Sequence, residues 1–141
     1  PRSTSSAASD VYKRQIDGGL SWNPTALNPS NSPLVIHEIE MHANNPEIMW
    51  AATSLGVYKT VNSGDNWTNI QQGYFQSVKQ KPGNPSVVYA ITGSQFFISN
   101  NEGYSFTLGR TFGEGNQPAM SLSNKNYNGP KKYLNPKFDT I

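Results

Sequence analysis

The sequence predicts an all-β chain built from four-stranded repeats, and three observations carry that expectation. Segments 45–68 and 84–107 align without gaps at an offset of 39 residues. A turn of the form Asp/Asn-x-Gly-x-x-Trp/Phe recurs three times, ending at Trp22, Trp67 and Phe106. The composition is rich in turn formers, with 12 Gly and 10 Pro, and only 14% of residues are charged. Gly reaches positive φ cheaply and Pro pre-sets turns, so such a chain suits many short strands rather than a helical bundle. A period near 40 residues is that of a β-propeller blade. The expected fold is a fragment of a β-propeller, with about two complete four-stranded blades plus parts of two more.

Residues 1–15, PRSTSSAASDVYKRQ, lack the repeat pattern. The string SSAASDVYKRQ resembles translated sequencing-adapter sequence from metagenomic assemblies. The segment is therefore set aside as an artefact or a disordered leader, with a Ser-rich linker as the alternative. It also explains the net charge of +2. Without Arg2, Asp10, Lys13 and Arg14, acidic and basic residues are equal in number. No nucleic-acid partner is expected from so balanced a chain. No apolar run approaches the roughly 18–20 residues that span a bilayer.

Residues 16–141 are expected to form the partial propeller. The first turn copy, Asp17-Gly18-Gly19-Leu20-Ser21-Trp22, precedes a Pro/Asn/Ser-rich loop over 23–33. A first blade at about 34–71 then has strands near 34–42, 47–53, 56–61 and 67–71. A second blade at about 75–112 has strands near 75–81, 86–92, 95–100 and 106–112. Identities shared by the two units include Asn45/Asn84, Pro46/Pro85, Ala51/Ala90 and Thr53/Thr92. A further strand is expected near Ala119, and the run after Asn124 leaves the pattern.

The turns are the most specific signal. Thr60-Val61-Asn62-Ser63-Gly64-Asp65-Asn66-Trp67 and Ser99-Asn100-Asn101-Glu102-Gly103-Tyr104-Ser105-Phe106 resemble the Asp-box, or BNR repeat. That motif is found in sialidases, xyloglucanase-type glycoside hydrolases and the sortilin (VPS10) propeller. The copy at Asp17 has Gln15 where the motif has Ser or Thr. Asp17, Asn62 and Asn101 are expected to accept backbone N–H bonds within the turn. Gly19, Gly64 and Gly103 are expected to supply positive φ. Thr60 and Ser99 are expected to close the loop through their hydroxyls, and Trp22, Trp67 and Phe106 to fill space between sheets. By the same reasoning, a Val at Gly64 should cost more stability than a Val at Gly83.

The resemblance implies that these turns are structural and lie away from the substrate face. It also implies a secreted or cell-surface, bacterial protein. Such a protein would be a sortilin-like recognition propeller for a protein or glycan, or a xyloglucanase-like hydrolase whose acids lie elsewhere; a cytosolic assembly factor with the same propeller is a third option. In each, the remaining blades are partners of these. No catalytic residue, cofactor or metal ligand is nominated. Past residue 14 the only arginine is Arg110, too few for the three-arginine sialidase site. The aspartates past residue 15 are Asp17, Asp65 and Asp139, two of them within turns, so no acid pair is evident. The weak ligand candidates are Glu38, Glu40 and His42, which alternation places on one face of a strand. They read as the polar wall of a channel or as an acid/base or metal cluster. Tyr74, Phe75, Tyr104 and Phe112 are aromatic candidates for stacking on sugars or for filling gaps between blades.

Overall fold

The computed structural model describes residues 13–15, 17–27 and 33–113. The strand expected near Ala119 and the run after Asn124 lie outside these. Among the described residues every regular element is a β-strand, and no helix is long and apolar enough to cross a membrane.

A short antiparallel pair comes first, β1 (Lys13–Arg14) with β2 (Asn23–Pro24), flanking the first turn. The first blade is β3 (Ile36–Met41), β4 (Met49–Thr53), β5 (Gly56–Thr60) and β6 (Thr68–Gln72), hydrogen-bonded in sequence order. The second is β7 (Ser77–Gln80), β8 (Val88–Ile91), β9 (Gln95–Ser99) and β10 (Thr107–Thr111), again an antiparallel meander. The chain is thus all-β with two blade-like sheets, as the repeat predicted.

The 39-residue offset puts equivalent side chains on equivalent faces, because strand side chains alternate. Trp50, Ala52 and Val57 of the first sheet face Phe75, Val78, Val88 and Ala90 of the second, forming one core of fully buried residues. Ile48, Phe97 and Phe106 pack at its margin. Burying a side chain of this kind contributes about 1.5–3 kcal/mol, so this junction dominates the packing. The opposite face of the first blade holds a smaller cluster of Leu27, Leu34, Ala51 and Tyr58, with Ile36 and Trp67 against it.

The meander sorts the connections between two ends. The 42–48 and 61–67 connections of the first blade lie at one end, with 81–87 and 100–106 of the second. The 54–55, 73–76 and 92–94 connections lie at the other.

Candidate functional site

The three turns share one hydrogen-bonding scheme. Thr60 Oγ1 accepts the N–H groups of Asn62 and Gly64 at 3.3 and 2.9 Å. Ser99 Oγ accepts those of Asn101 and Gly103 at 3.3 and 2.8 Å. Asn62 Oδ1 and Asn101 Oδ1 then accept Asn66 N–H and Ser105 N–H at 2.9 and 3.0 Å. In the first copy, Gln15 Oε1 takes the place of the hydroxyl. It accepts the N–H groups of Asp17 and Gly19 at 3.1 and 2.9 Å. Asp17 accepts Ser21 N–H at 3.0 Å and Ser21 Oγ–H at 2.5 Å, and those bonds hold its carboxyl below the ordinary value. Residues 13–15, set aside with the leader, therefore pair and cap within the first hairpin.

Gly19, Gly64 and Gly103 have φ of 91°, 88° and 73°. Gly83 also has positive φ, 75°. The contrast expected between Gly64 and Gly83 therefore cannot rest on backbone conformation alone.

The three turn aromatics differ in surroundings. Trp67 donates from Nε1 to Gly64 O at 3.2 Å and packs on the Tyr58 cluster, while Phe106 packs on the main core. Trp22 departs from the expectation, being 58% exposed. Only the two-residue pair β1–β2 flanks it among the described residues, so it has no sheet to fill against.

Glu38 and Glu40 are brought together, as alternation required, and both reach the inner strand of the second blade. Glu38 Oε2 accepts from Ser77 Oγ and from Val78 N–H, the latter at 3.0 Å. Glu40 Oε1 accepts Gln80 N–H at 3.1 Å. Lys79 Nζ lies 2.5 Å from Glu38 and 3.4 Å from Glu40. Burial by itself would push the Glu38 carboxyl up. Lys79, Ser77 and the Val78 amide outweigh it and hold the group below its ordinary value. The two carboxylates act as acceptors for the edge of β7. His42 is engaged elsewhere, its Nδ1 accepting Asn44 and Asn45 N–H at 3.1 and 3.0 Å while its ring lies beside Trp50. Among the described residues, no group of three His, Cys, Asp or Glu could hold a metal ion.

Lys59 was not singled out by sequence reasoning. It is 3% exposed, donates to Glu102 O at 2.7 Å, and lies 3.2 Å from the centroid of the Tyr104 ring. Trp50 Nε1 donates to the same carbonyl at 3.1 Å. Burial pushes the Lys59 amine down to about 8, against an opposing pull from Glu102. The available signal was a lysine within β5 where the other repeat has Ile98.

At the end opposite the turns lies an open groove of about 480 Å³. It is lined by Ser54, Leu55, Asn69, Gln72 and Tyr74, with Tyr58 at its base. Tyr74 is 54% exposed and its ring lies 4.8 Å from that of His37, tilted by 52°. Of the other aromatic candidates, Phe75 is fully buried, and Tyr104 is 58% exposed with Lys59 Nζ against its ring, at the same end as the turns. Phe112 lies by Arg110.

Two repeated four-stranded meanders, packed face to face, define the chain as blades of a β-propeller fold. Comparison with solved structures supports that class. An ancestral GH74 enzyme, a β-propeller glycoside hydrolase, aligns with a TM-score of 0.53 at 19% identity. The alignment covers 62% of this chain and 14% of the enzyme, so this chain spans a small part of that protein's length. The likeness is one of fold. No protein-family model matches the sequence, and no curated protein matches it.

Proposed function

We propose that these are non-catalytic, glycan-recognising blades of an Asp-box-type propeller exported to the cell surface or beyond. The observation that carries this reading is Tyr74, an exposed ring that lines the open groove and lies beside His37, at the end away from the turns of the two blades. An exposed ring flanked by Ser54, Asn69 and Gln72 offers an apolar face for a sugar ring and amide and hydroxyl groups for its hydroxyls. The fold likeness to a GH74 enzyme favours a second reading, in which the same blades serve a glycoside hydrolase whose acids lie on other blades. The two readings share the groove and differ in whether the longer protein cleaves what these blades hold. Sortilin-like protein recognition has less support, because the aromatic surface at this groove is small and set among polar groups.

Titration with xyloglucan oligosaccharides and a panel of unrelated glycans, followed by amide chemical shifts, tests this. Shifts should centre on Leu55, Asn69 and Tyr74. Tyr74→Ala should weaken binding by about tenfold, the worth of one aromatic contact. Absence of any response at these residues across the panel would sink the glycan reading.

A further inference from the structure

The contact between the two blades can be carried by the repeat onto a surface that the described residues leave bare. Within the chain, Glu38 and Glu40 accept the amides of Val78 and Gln80, which are 0% and 6% exposed. Shifting back by 39 residues, the counterparts of Val78 and Gln80 are Ile39 and Met41. These are 52% and 56% exposed. Farther out on the same face, Ala51 and Tyr58 are covered by Leu27 and Leu34. The bare area is therefore confined to the innermost strand.

That strand is also an open edge. β3 pairs with β4 on one side, as β7 pairs with β8. The repeat places the Ile39 and Met41 amides along the free edge of β3, where those of Val78 and Gln80 lie on β7. On β7 each of those amides receives a carboxylate; on β3 no described residue supplies one. The hairpin β1–β2 encloses the turn at 17–22, the counterpart of the 62–67 turn that joins the two outer strands of the first blade. The outer half of a preceding blade is thus present. The described residues contain no inner strand to lie beside β3.

We propose that the Ile39–Met41 edge and face of β3 form a docking surface for the inner strand of a further blade of this repeat. That strand carries two carboxylates two residues apart, which accept the Ile39 and Met41 amides. The chemistry is specific, because apolar contact alone would leave two edge N–H groups without acceptors.

The probe is a synthetic peptide of residues 34–53, which carries the Glu38–Glu40 pair and the β3–β4 hairpin. It is added unlabelled to the isotopically labelled 141-residue chain. The Ile39 and Met41 amides should shift and exchange at least about tenfold more slowly, as expected when an open edge becomes paired. A peptide with Glu38→Gln and Glu40→Gln should bind about tenfold or more weakly, the range for a lost charged hydrogen bond. Ile39→Lys with Met41→Lys in the chain should abolish binding with an unchanged circular dichroism spectrum, since both side chains are exposed. Three results would overturn the proposal. One is no response at Ile39 and Met41 under saturating peptide. Another is equal affinity of the two peptides. The third is concentration-dependent protection of the same amides in the chain alone, with a dimer in sedimentation, which would assign the face to a second copy.

Discussion

Gly103 and Gly83 separate two effects that sequence reasoning combines. Their φ values are 73° and 75°, so an added Cβ meets the same backbone strain at each. Their surroundings differ. A Cβ at Gly83 has nothing within 4 Å, whereas one at Gly103 would lie 2.2 Å from Trp50 Nε1. That nitrogen is itself held by the Glu102 carbonyl, so the indole cannot swing away without breaking a bond. Gly83→Ala should therefore cost about 1–2 kcal/mol, the left-handed penalty alone. Gly103→Ala should add about 1–3 kcal/mol of overpacking to that. Urea denaturation of the two variants checks the difference, and equal losses would show that Trp50 does not press on this turn.

Between elements, the blades are held by an apolar core and by polar contacts, two of which differ in character. The first is the Glu38–Glu40 contact with β7. Glu38 has its pKa held below the usual 4.5, so it contributes stability above that value and loses it as pH falls through the folded pKa. Glu38→Gln should cost about 1.5–3 kcal/mol at neutral pH, the range for hydrogen bonds to a charged group. The gap between variant and parent should close in denaturation curves taken well below pH 4.5. The second contact is Lys59, whose charged form is disfavoured by burial rather than favoured. Its folded pKa of about 8 lies below the ordinary 10.5, so the unfolded chain binds more protons between those values. Stability from this group accordingly rises as pH climbs through that window. Lys59→Met should remove that rise, which unfolding measurements at pH 8 and pH 10.5 can detect.

How much of this was legible follows from the range of each signal. The strands could be read because period-2 alternation and the 39-residue repeat are local and self-checking. The grouping of Glu38 with Glu40 could be read for the same reason. Their acceptors' use could not, because it depends on β7, which lies 39 residues away in sequence and adjacent in space. Gln15 was missed as a cap because the expected residue type was a hydroxyl, while the turn requires only an oxygen at the right reach. The burial of Lys59 depends on Tyr104 and the Glu102 carbonyl of the other blade, which no pattern within β5 reveals.

At the scale of the whole molecule, stability depends on edges as much as on the core. A blade is stabilised by neighbours on both faces, and the two blades described here share a single well-filled junction. The first blade exposes Ile39 and Met41 on an edge strand, and the outermost strand of the second, β10, is exposed along its whole length. An exposed apolar edge is a template for strand addition. The 141-residue chain should therefore melt below about 60 °C, within the ordinary mesophilic range, and associate on heating. If the edge is responsible, Ile39→Lys with Met41→Lys should suppress association seen by light scattering. The melting midpoint should change little, because two exposed side chains contribute little to the folded core. Cooperative melting of a soluble monomer well above that temperature would show that two blades are self-sufficient. Unchanged scattering in the double variant would instead move the aggregating surface from β3 to another edge, with β10 the next to test.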